Sequence, residues 1–471
     1  MALSLISLPN DVLLMIAEQL DQHLDRWNIV FVCRHFHNLF ISMVYRAVPL
    51  QNQRAANSFL HAISRRPYLA RAVRHLDLSA WGTKEIAEED RWELERSVLI
   101  RECIHSLSHS EGEATQWQES LTRGRSEAWS ALLLPLLSHL EQLQVAHGSE
   151  TTCLERSLER ALKGDKSFRG GRALQHLAHV FLHHREDLNP SRNEHPAAER
   201  SAQSPSTLLL PFFQLPSMRT IIATAVVDSS LSNEEPALEP FDLSSIKNID
   251  LRASSVNNGM EALITSCADL KSFKYQHSDS HLHSRGYQPT AFYRSLSHSK
   301  RTLEVLWLDH YGDHYAFTAA GLNQTHDEWF GSLAEFSALR EVRIRLPNLL
   351  DIRYQSEPAT SLLNCLPASL ETIYIEGCEE RHLAMLVSQL RIVVKSHRTR
   401  LPRLQRIDVE GDFHNASDES GEFRPPESDP ANNNIIKQKI LQAAEPLHLD
   451  CAAAGLELHL HDRVFTREIP T

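Results

Sequence analysis

A six-residue phrase, apolar-x-x-apolar-x-apolar, returns along this chain at a spacing that leaves few folds open to it. It reads "IKNIDL" at 246–251, "LKSFKY" at 270–275, "LEVLWL" at 303–308, "LREVRI" at 339–344, "LETIYI" at 370–375 and "LQRIDV" at 404–409. Earlier copies are "VRHLDL" at 73–78 and "LEQLQV" at 140–145; "MRTIIA" at 218–223 is weaker, and "LQHLAH" at 174–179 breaks at its last position. Matches alone prove little, because with 42% apolar residues three fixed positions agree by chance at roughly thirty places. Spacing decides. The fourth residues of the later copies, Ile249, Phe273, Leu306, Val342, Ile373 and Ile407, are 24, 33, 36, 31 and 34 residues apart. The last three positions alternate as a half-buried strand does, and helix-compatible segments such as "GMEALITSCAD" and "RHLAMLVSQLRIVVKSH" lie between copies. Strand, loop and helix at a near-fixed period predict an α/β solenoid. At 471 residues the chain is too long for one compact core, and a repeat array removes that difficulty.

In such an array the apolar members of each strand point into the core. The residues between them then line the open face: Asp77, Gln144, Asp250, Arg252, Lys274, Gln276, Trp307, Asp309, Arg343, Arg345, Tyr374, Glu376, Asp408 and Glu410. Two aromatics among Arg and carboxylate side chains suit the anchors of a specific protein-binding patch. The candidate substrate-binding residues are therefore Arg252, Lys274, Trp307, Asp309, Arg343, Arg345, Tyr374 and Glu376. The competing reading is a merely solvated face, since any strand with one wet side carries polar residues there.

The first fifty residues pose a separate problem. "LPNDVLLMIAEQL" at 8–20 puts five large apolar residues in a row, Val12 to Ile16, straight after Leu8-Pro9. Pro9 suits a first helical turn and Asp11 complements its positive end. Leu13, Ile16, Ala17 and Leu20 make one stripe, with Val12 and Met15 off it. Asp25 is a candidate N-cap for a second helix through Val32, and a third runs from about His35 to Tyr45. A three-helix unit this small buries too little of its own surface. Each Leu-sized group left wet forgoes roughly 1.5–3 kcal/mol, so a covering surface is expected.

The order Leu8-Pro9-Asn10-Asp11-Val12-Leu13, then Ile16, Leu20, Asp25 and "VCRHFHNL" at 32–39, resembles an F-box. Asp11 stands for the commoner Glu, and Arg26 stands where a Leu commonly follows the acidic residue. The repeat phrase resembles the core of a leucine-rich repeat, although its period exceeds the usual roughly 20–29 residues and the Asn/Cys after the strand is absent as a rule. Together these resemblances imply an α/β chain: a small three-helix F-box over 1–50, then an irregular leucine-rich-repeat array over 51–471 with insertions near 79–130, 185–207 and 416–434. The layout is similar to the large F-box sets of filamentous fungi. It implies docking to a Skp-family adaptor, and through it to a cullin, by Leu8, Pro9, Val12, Leu13, Ile16, Leu20, Val32 and Cys33. It further implies that the array recruits a protein substrate to a ubiquitin ligase for proteasomal degradation. An adaptor-bound scaffold without ubiquitination is the alternative. The plain reading is a helical cap packed on its own chain.

Other classes fit less well. The formal charge of −12 carries no basic block, which argues against nucleic acid. The N-terminal apolar run lacks a basic flank and stops at Pro9, Asn10 and Asp11, and the richest apolar stretch, 131–140, is broken by Pro135 and His139, so no membrane role is expected. Seven cysteines with no CxxC pair suit the reducing cytosol and/or nucleus. No phosphate loop, GxGxxG, GxSxG or HExxH motif is present, so neither enzyme chemistry nor a cofactor is expected. The loop "DHYGDHYAFTAAGLNQTHDEW" at 309–329 places Asp309, His310, Asp313 and His314 near one another, and "HSDSHLHS" at 277–284 adds three imidazoles. With 27 His in the chain such clusters are expected, so no metal is expected; exposed loop histidines are the plain reading and a recognition loop on the rim of the array is the functional alternative. "EEDRWELERSVLIRECIHSLSH" at 88–109 looks helical, 185–207, 228–240 and 416–434 read as surface loops, and "GLELHLHD" at 455–462 closes the array after a helix over 435–444.

Overall fold

The computed structural model describes residues 5, 8–20, 23–81, 97–147, 152–164, 174–184, 204–227, 243–256, 259–278, 287–311, 328–352, 357–414 and 436–463. The chain divides into two compact units, Met1–Ala225 and Val226–Thr471. The first begins with α1 (Asn10–Glu18), α2 (His23–Val30) and α3 (Arg34–Val44). Then follow β1 (Ala47–Pro49), α4 (Gln53–Arg65), α5 (Pro67–Ala72) and β2 (His75–Leu78). Helices α6 (Val98–Leu107), α7 (Glu111–Thr122) and α8 (Ser126–Leu133) precede β3 (Gln142–His147). Helix α9 (Thr152–Leu162) precedes β4 (His179–His184) and β5 (Thr220–Thr224).

These strands pair in parallel, fourth residue of one phrase opposite the fourth of the next: Val48, Leu76, Leu143, Val180 and Ile221. That ladder corrects the sequence reading twice. "YRAVPL" at 45–50 is a further copy that the sequence reading did not include, and its strand β1 carries Pro49, a residue unsuited to a central strand. As the edge strand, β1 tolerates the missing N–H. Near 174–182 the phrase is "LAHVFL", three residues later than "LQHLAH": β4 starts at His179, and Leu177, Val180 and Leu182 are the buried set. The expected insertion near 79–130 contains helices α6 to α8. Ser97 and Ser110 cap the first two through Ile100 N–H and Glu113 N–H, and Trp117 and Trp129 bury themselves in the core. Residues 88–96 of the expected helix lie outside the described residues. Helix α4 had no sequence forecast, yet Ala56, Phe59, Leu60 and Ile63 bury one i, i+3, i+4, i+7 stripe behind an Asn52 cap.

The second unit comprises β6 (Asn248–Ser254), α10 (Glu261–Ser266), β7 (Ser272–Ser278), α11 (Pro289–Leu296), β8 (Val305–Tyr311) and β9 (Glu341–Arg345). It continues as β10 (Thr372–Cys378), α12 (Glu380–Arg400), β11 (Arg406–Gly411), α13 (Gln438–Ala454) and β12 (Glu457–Asp462). Ile249, Phe273, Leu306, Val342, Ile373, Ile407 and Leu458 form its ladder of cross-strand partners, all parallel. The first six are buried, as are the sixth residues of their phrases, Leu251, Tyr275, Leu308, Ile344, Ile375 and Val409. Each strand thus supplies two anchors worth roughly 1.5–3 kcal/mol apiece. The period read from the sequence is the spacing of this ladder.

Helix α12 overruns the segment expected at 381–397 by a few residues and buries Leu383, Leu386, Val387, Leu390, Val393 and Val394. The helix expected to end at Ala444 instead continues through Pro446 to Ala454. Pro446 removes one interior hydrogen bond, but Ile440, Ala444, Leu447 and Cys451 keep one buried stripe across it, and Gly455, at φ 76°, provides the left-handed stop. The loops expected at 185–207, 228–240 and 416–434 lie largely or wholly outside the described residues. Among the described helices none is long and apolar enough to cross a membrane.

Candidate functional site

The first candidate surface lies on the N-terminal helices. Helix α1 turns Leu13 and Ala17 into its own core, with Leu13 only 1% exposed, so Leu13 faces its own chain rather than open surface. Val12, Met15 and Ile16 lie on the outside, Met15 at 66% exposure. The second helix ends at Val30, earlier than expected, and Asp25 sits within its first turn rather than capping it. Phe31 and Val32 therefore fall in the turn before α3, exposed at 75% and 63%. Cys33 is half-buried and caps α3, its Sγ accepting from Phe36 N–H at 3.4 Å. Leu8 and Leu20 are half-buried and Pro9 is exposed. Arg26, which departs from the F-box pattern, donates Nε–H to the Leu20 carbonyl at 2.8 Å and so ties the end of α1 to α2. Six of the twelve exposed large hydrophobics among the described residues fall in the first 32 positions, so open apolar surface is concentrated here.

The second candidate surface is the strand face of the second unit. Parallel register sets Asp250, Lys274, Trp307, Arg343, Tyr374 and Asp408 side by side on successive strands, as the sequence pattern forecasts. Beside them run Gln276, Asp309, Arg345 and Glu376. These residues do not simply point to solvent. Lys274 Nζ lies 3.4 Å from the Trp307 ring centroid, and the Arg343 guanidinium lies 5.7 Å from that ring and 4.5 Å from the Tyr374 ring. Arg343 also pairs with Glu376, with Asp309 at 3.2 Å and with Glu410 at 4.0 Å. Tyr374 donates its hydroxyl to Glu410 at 2.7 Å, and the Trp307 indole N–H donates to Glu341 at 2.7 Å.

At the end of the face, Arg406 and His461 both hold the Asp408 carboxylate, at 2.7 and 2.6 Å, and the His461 ring stacks on Tyr374. Glu376, Asp408 and Glu410, expected on an open face, are buried. The reason is electrostatic: a carboxylate leaves water only when cations and donors replace its hydration. Burial, then the Asp309 carboxylate, push the Glu376 carboxyl well above its usual range, with Arg343 opposing. Burial works against charge on Arg343 too, yet Glu376 and Asp309 hold it protonated. Burial followed by Glu410 raises the Tyr374 phenol. Burial also opposes ionisation of Asp408, but hydrogen bonds from His461 and Arg406 keep it below the usual carboxylate range.

Sequence reasoning missed Glu341, Arg406 and His461. The same register rule, applied to the third residue of each phrase, where the strand begins, and to the final phrase, finds all three. Arg252 spends its guanidinium on Asp250 at 3.1 Å, and Arg345 is the cross-strand neighbour of Glu376. In the first unit Asp77 accepts from Ser79 N–H and Oγ–H at 2.8 and 2.6 Å, and Gln144 is half-buried.

Most of the His-rich loop, 312–327, and most of "HSDSHLHS", 279–284, lie outside the described residues. His277 itself is a core residue, its ring bonded to the Tyr275 hydroxyl at 3.0 Å and stacked on Tyr287. Among the described residues no group of three or more His, Cys, Asp or Glu is arranged to hold a metal ion. On the strand face the ion pairs and ring contacts hold one another in fixed positions.

No curated protein matches the chain. A family profile described as a leucine-rich repeat domain matches residues 50–422, about four-fifths of the sequence and every strand from β2 to β11. Leucine-rich repeat domains are protein-interaction modules rather than catalysts, which agrees with a face made of fixed ion pairs and rings. The chain belongs to the leucine-rich repeat domain family.

Proposed function

We propose that this protein is the substrate-recognition subunit of a Skp–cullin–F-box ubiquitin ligase. Residues 1–50 dock a Skp-family adaptor and, through it, a cullin; residues 51–471 present a strand face to a protein substrate. The observation that carries this reading is the open apolar face on α1 and the α2–α3 turn, in the stretch whose residues resemble an F-box. Leu8, Pro9, Val12, Ile16, Leu20, Val32 and Cys33 make the contact, with Leu13 supporting them from beneath. On the substrate side Arg252, Lys274, Trp307, Asp309, Arg343, Arg345, Tyr374 and Glu376 form the contact face. The protein itself does no chemistry. It raises the effective concentration of a substrate lysine near the conjugating enzyme. The reducing cytosol or nucleus is the compartment in which its seven free thiols fit.

Copurification with the adaptor tests the assignment. The wild-type chain is expected to retain adaptor one to one, and Leu8→Ala with Pro9→Ala to lose it. The exposed Met15→Asp leaves the fold undisturbed and serves as the second probe. Retention of adaptor by both variants overturns the proposal. A bound partner that accumulates on proteasome inhibition marks a degradation receptor. One that does not, with adaptor binding intact, marks a scaffold.

A further inference from the structure

The strand face of the second unit is laced with ion pairs, and one cation on it has no anion among the described residues. Asp250 is the direct cross-strand neighbour of Lys274, yet its carboxylate is held by Arg252 Nε and NH2 at 3.2 and 3.1 Å. Lys274 turns instead to the next strand, its ammonium 3.4 Å from the Trp307 ring centroid. Among the described residues Lys274 makes no ion pair, whereas Arg252, Arg343 and Arg406 each face a carboxylate. The ring beneath it is fixed, because the Trp307 indole N–H is bonded to Glu341. Two residues along β7, the Gln276 carbonyl accepts from Ala253 N–H at 3.3 Å, which leaves its NH2 end as the donor for a ligand.

The strip of β6 and β7 therefore carries two cations, Arg252 and Lys274, against one carboxylate, Asp250. A surplus positive charge on this strip, in a chain of formal charge −12, is a counter-charge waiting for its partner. Cation–π contact holds the ammonium in place without neutralising it. An incoming carboxylate then gains a charge-assisted hydrogen bond while little side-chain freedom remains to be lost.

We infer that Lys274, with Arg252 and Gln276 beside it and Trp307 as its floor, is the subsite that takes an acidic side chain from a peptide segment of the protein partner. This rests on the reading of the strand face as the partner-binding surface, and it adds the chemical class of what binds there.

The test uses the full chain labelled with 5-fluorotryptophan, with Trp307→Phe assigning the Trp307 fluorine signal. Titration with a hexaglutamate peptide is expected to move that signal, and hexalysine is not. Lys274→Met reduces the apparent affinity for hexaglutamate at least tenfold, while Lys274→Arg retains it. An unchanged far-ultraviolet spectrum and adaptor copurification show the variants folded. The inference is overturned if hexaglutamate leaves the signal unmoved, if Lys274→Met responds as wild type does, or if only a phosphoserine peptide moves it. Hexaglutamate binding lost in Arg345→Glu but indifferent to Lys274→Met overturns this subsite alone. Partner capture indifferent to every strand-face variant overturns the underlying reading of the face.

Discussion

Replacing Arg343 by Met removes the cation that pairs with Glu376, Asp309 and Glu410. Met keeps most of the side-chain volume, so the change is chiefly one of charge. Glu376 is buried and Arg343 is largely so, and breaking such a pair from one side costs about 3–5 kcal/mol, because the surviving carboxylates keep their desolvation without compensation. The cost must also depend on pH. Burial and Asp309 already raise Glu376 above its ordinary 4.5, and Arg343 is what limits that rise. A carboxyl raised in the fold contributes stability that is full below its unfolded value and lost as pH climbs through its folded one. In Arg343→Met the folded value climbs further, so the penalty is largest at neutral pH and shrinks as pH falls towards the ordinary carboxylate range. Stacked repeats open locally, so hydrogen exchange of peptides spanning β9 and β10 is a better readout than one global melt. Protection factors there are expected to fall about 10²- to 10⁴-fold at pH 7.5, the same 3–5 kcal/mol at 1.36 per decade, and by clearly less at pH 5. A fall below tenfold at pH 7.5, or an equal fall at both pH values, would refute the argument.

Combining Arg343→Met with Asp309→Asn, Glu376→Leu and Glu410→Leu removes the whole charged set, and stability is expected to return to wild type or exceed it by about 1–4 kcal/mol in the same exchange experiment. At Gly259, φ is +64° and an added Cβ would lie 2.5 Å from the Ala291 carbonyl carbon, so Gly259→Ala is expected to cost roughly 2–5 kcal/mol by thermal melting, from overpacking and left-handed strain together. All seven cysteines are free, but only Cys33 and Cys103 are not buried. Burial drives the thiols of Cys153 and Cys451 up to about 11 and those of Cys267 and Cys378 up to about 12. A disulfide-exchange reagent at pH 8 should therefore titrate two fast thiols in the native chain and seven after unfolding. Asp408, held below its ordinary 3.8, contributes stability that is full above that value and lost as pH falls beneath it. Exchange in β11 and β12 should accelerate selectively below about pH 4, and Asp408→Asn should remove that acid-specific step.

The fold was legible because one pattern, two buried residues at positions four and six of a phrase, is both what the sequence repeats and what the ladder stacks. It failed where local chemistry disguised that pattern. Pro49 hid β1, since its missing N–H counts against a strand everywhere except at an edge. At "LQHLAHVFL" two overlapping phrases share Leu177, and only pairing with Leu143 selects the later one. Pro446 obscures the length of α13, because a proline counts against a helix interior whereas the buried stripe of Ile440, Ala444, Leu447 and Cys451 runs across it. On the strand face, register gave the neighbours but not the rotamers. Nothing in "LETIYIEG" tells that Glu376 turns in to meet a guanidinium from the preceding strand. The N-terminal face was legible through the surplus of apolar residues at Val12, Met15, Phe31 and Val32, although one member of the expected contact set, Leu13, proved to be core.

Why a repeat face should hold buried ion pairs is a question of orientation rather than stability. Such pairs roughly break even against well-packed apolar side chains, so the Arg343 cluster is a poor device for holding strands together. It is an effective device for holding rings and charges still. Strands about 4.8 Å apart place Lys274, Trp307, Arg343 and Tyr374 within stacking reach, and the carboxylates of Asp309, Glu376 and Glu410 fix the guanidinium that both rings contact. Under the proposed function, a partner meeting this surface finds its side chains already ordered, so less of the interaction energy is lost to entropy. The contrast with the N-terminal helices follows from the same physics. There the exposed groups are apolar and uncharged, which under the proposed function suits one constant adaptor. The strand face is charged and directional, which under the same proposal suits discrimination among substrates.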